Sequence, residues 1–89
     1  MIWKVTLKDE AVKQLRKLNP NIQDRITNYR RTRIATEEDP RRFGKALTGD
    51  LKGLWRYRVD DYRIVCFIEN NILTVLIVKI GHRRNIYVK

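Results

Sequence analysis

The chain from residue 54 to residue 80 consists of three extended runs separated by two polar dipeptides. Residues 54–59 are followed by Asp60-Asp61, residues 62–69 by Asn70-Asn71, and residues 72–80 close the series. β-Branched and aromatic side chains dominate the runs, as strands prefer. Two-residue breaks join antiparallel neighbours and are too short for a crossover. Asn tolerates positive φ, so Asn70-Asn71 suits a tight hairpin turn. The spacing predicts a contiguous antiparallel sheet. The last run is apolar almost throughout and is expected at the sheet centre, buried on both faces.

The first half supplies one more strand and two helices. Over residues 2–8, Trp3, Val5 and Leu7 share one face and Lys4, Thr6 and Lys8 the other, which is a half-buried strand. Asp9 is placed to cap a helix through Leu18, with Ala11, Val12, Leu15 and Leu18 at helical spacing. Asn19-Pro20 ends it and opens a second, since Asn suits the N-cap and Pro the first helical position. That helix carries Ile22, Ile26, Tyr29 and Ile34 on one stripe and Arg25, Arg30, Arg31 and Arg33 elsewhere. Residues 36–53 form a polar connection in which Leu47 and Leu51 are expected to reach the core. A connection this long in 89 residues predicts a functional loop or short helical turns within it. The expected fold is a single α+β domain over 1–89. It has about four strands in β-α-α-β-β-β order, with two helices packed on one face of an antiparallel-dominated sheet.

Charge narrows the partner. Twenty Lys and Arg oppose ten Asp and Glu, a net +10. Self-repulsion of that size disfavours the compact state, so the excess points to a polyanion, an anionic membrane or an acidic protein. Cys66, the only cysteine, lies in an apolar run and is expected as a buried small hydrophobe rather than a nucleophile. One His and one Cys give no metal-ligand set, and no phosphate-cradling glycine loop or nucleophile elbow is present, so no cofactor is expected. With no signal peptide and no apolar stretch of about 18 residues, the expected location is the cytoplasm.

Strand alternation sorts the arginines. Arg56 and Arg58 point one way with Leu54, opposite Trp55, Tyr57 and Val59. Arg63 shares a face with Val65 and Phe67. A hairpin that brings Arg63 beside Arg56 and Arg58 puts three guanidiniums on one surface, where like charges repel unless an anion sits between them. The tail adds His82, Arg83, Arg84 and Tyr87. Guanidinium matches phosphate, imidazole can move protons and an aromatic ring can stack on a base.

The segment Gly53-Leu54-Trp55-Arg56-Tyr57-Arg58-Val59-Asp60-Asp61-Tyr62-Arg63-Ile64-Val65 resembles the RelE/ParE toxin superfamily. So do Val78-Lys79-Ile80-Gly81-His82-Arg83-Arg84-Asn85-Ile86-Tyr87 and Asp39-Pro40-Arg41-Arg42-Phe43-Gly44-Lys45-Ala46-Leu47. The resemblance covers essentially the whole chain. It implies the toxin of a type II toxin–antitoxin pair, a ribosome-dependent, metal-free endoribonuclease that cuts mRNA in the A site by 2′-hydroxyl attack. Its implied partners are an acidic RelB-like antitoxin, the ribosome and mRNA, with neither a membrane nor a small-molecule cofactor. By position, Arg63 matches the arginine on the scissile phosphate, Arg83 the arginine at the leaving group and Tyr87 the base-stacking tyrosine. Arg56 and Arg58 match basic strand positions, and His82 matches a histidine of many relatives. The RNA-facing set extends to Arg84, Lys45, Lys52, Arg41 and Arg42. Some relatives have lysine where Arg56 and Arg58 stand. Arginine does not release its proton, so the general base is open. Two other readings stay open: a ParE-type inhibitor of DNA gyrase and a non-catalytic RNA-binding module.

Overall fold

The computed structural model describes residues 1–86. The elements are β1 (Lys4–Leu7), α1 (Asp9–Arg16), α2 (Pro20–Tyr29), β2 (Lys45–Ala46), β3 (Trp55–Val59), β4 (Tyr62–Glu69) and β5 (Thr74–His82). They form one sheet in the order β1-β5-β4-β3-β2. β2 to β5 pair antiparallel, while β1 joins β5 in parallel. The α+β class is as expected, with five strands instead of four. β2 is only two residues long, too short to leave an alternation pattern.

The helices cover one face. Ala11 of α1 and Ile26 of α2 meet Tyr57, Ile64, Cys66, Val75, Ile77 and Ile80 in a single buried cluster. β5 is therefore not buried on both faces: Val75, Ile77 and Ile80 are buried, while Leu76, Val78 and Lys79 are half-buried. Nor is β5 central. β4 takes the middle, because the extra strand β2 extends the far edge.

Local chemistry explains most boundaries. Asn19 Oδ1 accepts from the Asn21 N–H at 2.9 Å and Pro20 opens α2, as expected. Asp9 does not cap α1; Lys8 holds that position and Asp9 lies in the first turn, where its charge still favours the positive helix end. α1 ends at Arg16, short of Leu18. After α2 the chain widens into a π-helical turn, Arg30–Ile34, with Ala35 N–H donating to the Arg30 carbonyl at 2.9 Å. Across the wider turn Ile34, five residues after Tyr29, stays on the stripe of Ile22 and Ile26, and it is fully buried.

Residues 36–53 do contain short helical turns, Pro40–Arg42 and Gly49–Leu51. Pro40 and Phe43, not Leu47 and Leu51, anchor them. Tyr57 Oη donates to the Pro40 carbonyl and Trp55 Nε1 to that of Phe43, each at 2.8 Å. The second hairpin also departs from expectation. Asn70–Ile72 is a 3₁₀ turn, and Leu73, not an asparagine, takes the left-handed conformation at φ 46°.

Candidate active site

The register builds a basic surface on the sheet face away from the helices. Arg58 stands directly opposite Arg63, and Arg63 opposite Gly81. One step along, Lys45, Arg56, Val65 and Lys79 form a row across four strands. Val65 in that row is only 3% exposed. Long basic side chains can cover such a neighbour with their methylene stems while their heads stay in water.

Lys79 was not among the residues singled out from the sequence. Simple alternation groups it with Val75 and Ile77, facing the core. A bulge between Val65 and Cys66 pairs Val65 with Lys79 and Cys66 with Ile77, leaving Val78 as the extra residue on β5. The phase resets there, so Ile77 and Ile80 both face the core and Lys79 turns to the basic side. A lone lysine inside an apolar run was the available signal.

Four arginines converge on a cleft of about 540 Å³, lined by Arg56, Arg63, Arg83, Arg84 and Leu47. They come from β3, β4 and the turn after β5. Arg63 is half-buried and oriented by its own hairpin: Nη1 donates to the carbonyls of Tyr62 at 3.1 Å and Asp60 at 3.3 Å. Arg83 is held from the same turn. Its N–H donates to the Asp61 carbonyl at 2.8 Å, and its Nε lies 3.9 Å from Asp61 Oδ1. The turn itself is tied to α2 through the Arg25–Asp60 ion pair. The two ion pairs are solvent-exposed, so they orient the cations more than they stabilise the fold.

Gly81 and Ile86 pack together at the turn that carries Arg83 and Arg84. Asn85 and Ile86 N–H groups both donate to the His82 carbonyl, at 2.8 and 3.0 Å, folding the chain back. Ile86 is buried, and a Cβ on Gly81 would lie 3.1 Å from its Cδ1. The residue opposite Arg63 thus carries no side chain to crowd the guanidinium.

The other predicted residues divide. His82 pairs with Tyr62, not with Arg63, and so faces the other side of the sheet. Its ring packs edge-on against Tyr62 with centroids 5.6 Å apart, and Nδ1 accepts from the Arg84 N–H at 3.2 Å. It does not line the cleft. Arg58 lines a separate groove with Lys45. Arg41 bonds Asn70 Oδ1 at 2.9 Å, at the far end of β4. Arg42 pairs with Glu38 at 2.7 Å and stacks on Phe43. Lys52 is exposed and lines neither space. Tyr87 lies outside the described residues. Cys66 is fully buried, and burial pushes its thiol well above the usual range, which suits packing and not attack.

The sequence matches the model of a family described as the ParE toxin of the type II toxin–antitoxin system parDE, over residues 5–87. Toxin RelG of Mycobacterium tuberculosis is 31% identical over 87 residues, spanning 98% of each chain. A chain of the toxin–antitoxin complex RelBE2 from the same organism superposes with a TM-score of 0.84 at 27% identity, over 96% of this chain and 95% of that one. One from the archaeal RelE–RelB complex of Pyrococcus horikoshii gives 0.73 at 28% identity, over 96% and 99%.

Proposed function

The chain belongs to the RelE/ParE family of type II toxins, and from that premise we propose that it is an endoribonuclease that cuts mRNA on the ribosome. The observation that carries this reading is the convergence of Arg56, Arg63, Arg83 and Arg84 on one cleft. Four guanidiniums gathered without a carboxylate among the lining residues make a site for phosphate.

The proposed reaction is attack of the 2′-hydroxyl on the adjacent phosphorus. The O2′–P bond forms, the P–O5′ bond breaks, and the products are a 2′,3′-cyclic phosphate and a 5′-hydroxyl. The 2′ proton leaves to water, and the 5′ oxygen takes one from water. Arg63, fixed by two carbonyls, and Arg83 hold the phosphoryl oxygens as charge grows on them. Preorganised donors of this kind contribute about 3 to 4 kcal/mol each. Arginine cannot act as a base. The lining residues therefore work by positioning and electrostatics, and the ribosome supplies the alignment of the message. His82 serves as a positioning residue that fixes the Arg84 turn.

The proposed inhibitor is a separately encoded acidic antitoxin that covers the basic face. Among the described residues no helix is long and apolar enough to cross a membrane, and the proposed place of action is the cytoplasm.

Cleavage of mRNA on programmed ribosomes tests the reading. Folded Arg63→Ala and Arg83→Ala variants are expected to lose at least 100-fold in rate, the effect of removing one such donor. Wild-type rates in both would sink the assignment. ParE gives the matching family model its name. Inhibition of gyrase supercoiling with no cut message would therefore select the gyrase reading.

A further inference from the structure

Beside the cleft lies a second groove of about 270 Å³, lined by Tyr29, Phe43, Gly44, Lys45, Arg56 and Arg58. We propose that this groove is a second nucleotide subsite. It takes the unpaired base and phosphate of the nucleotide next to the one in the cleft, so that a single RNA strand crosses Arg56. This inference rests on the ribonuclease reading and extends it to the length of strand held.

Arg56 lines both spaces, so the two are contiguous through a shared cation. Arg58 lies two residues further along the same strand, roughly 7 Å away. Lys45 stands directly across from Arg56 on the edge strand. Neither Arg58 nor Lys45 has an ion-pair or hydrogen-bond partner for its side chain among the described residues. Both are exposed. Like charges this close destabilise a sheet until an anion bridges them.

The wall opposite the cations is aromatic. Phe43 packs edge-on to Tyr29 with centroids 6.5 Å apart, and the guanidiniums of Arg42 and Arg33 lie 4.7 and 5.3 Å from its ring centroid. Aromatic rings and guanidinium planes are the two surfaces on which unpaired bases stack. The wall is held close to β3: Gly44 sits at φ 79°, where a Cβ would lie 2.2 Å from the Arg56 carbonyl oxygen, so only glycine lets the loop carrying Phe43 lie directly against the strand. A cationic rim with an aromatic wall suits a base carrying its phosphate, whereas an acidic peptide would use the rim alone.

Binding of uncleavable 2′-O-methyl RNA oligonucleotides of increasing length to the full chain tests this. Affinity is expected to rise about tenfold at the length that reaches the second groove. Lys45→Ala and Phe43→Leu should remove that step. Lys45→Ala should also lower the slope of log affinity against log salt by about one. Lys45 is exposed, so its variant keeps the test open should Phe43→Leu fail to fold. A length series without a step, or a step that survives in Lys45→Ala, would overturn the subsite and leave the ribonuclease reading intact. Wild-type protein that neither binds any oligonucleotide nor cuts ribosome-bound message would overturn both. A poly-glutamate peptide of equal charge that binds as tightly, with the same losses in the variants, would assign the groove to an acidic protein segment and overturn the subsite.

Discussion

His82 and Arg83 are adjacent in sequence, yet the sheet sends them to opposite sides. Pairing with Tyr62 fixes the histidine against an aromatic edge, and its Nδ1 holds the Arg84 N–H. Glutamine can accept the same bond. His82→Gln is therefore expected to keep its cleavage rate within about threefold of wild type, with an unchanged pH–rate profile. Loss of a true acid or base would cost roughly 10²- to 10⁴-fold, so kinetics across neutral pH separate the two roles. The sequence grouped Arg63, Arg83 and His82 in one site; the structure puts the two arginines on the cleft and His82 off it, a division set by strand pairing and not by residue type. The sequence did place Arg58 on the Arg56 face, but which of two grooves it enters depends on where β2 ends.

At the scale of elements, two backbone features set the site. The first is Gly44, which lets the connection pass against β3 while Tyr57 and Trp55 bond the carbonyls just before it. Gly44→Ala combines a strained positive φ with a backbone clash, and the loss of stability is expected to be at least about 2 kcal/mol. Chemical denaturation measures it, and a loss under about 0.5 kcal/mol, typical of a plain surface substitution, would contradict the close approach. The second is the bulge at Val78, which carries Lys79 to the basic face. Neither is visible as periodicity. A bulge is one residue out of phase in an otherwise regular run, and a two-residue strand has no period at all. The hairpin turn at Asp60-Asp61 was legible, since two polar residues between extended runs leave the chain few other conformations.

Across the whole molecule, one helix-covered face carries the core and the open face carries the charge. Burial raises the pKa of the Cys66 thiol and of the Tyr57 and Tyr29 hydroxyls. The folded state therefore holds these protons more tightly than the unfolded chain does. The stability they lend is fully present below the ordinary thiol value of about 8.5 and is lost as pH climbs past it and past the ordinary phenol value of about 10. The urea midpoint is expected to be level near pH 7 to 8 and to fall steadily above pH 9. A level profile to pH 11 would contradict the burial of these groups. The sequence by itself determined the class of fold, the identity of the core residues on β3 and β4, and the excess of cations. These follow from alternation, turn chemistry and composition, which are local or additive. Only the tertiary structure decided which cations share a cleft, that Lys79 joins their face, that His82 leaves it, and that a second groove opens beside Arg56. Those outcomes depend on register between strands distant in sequence, where a shift of one residue moves a side chain to the other face.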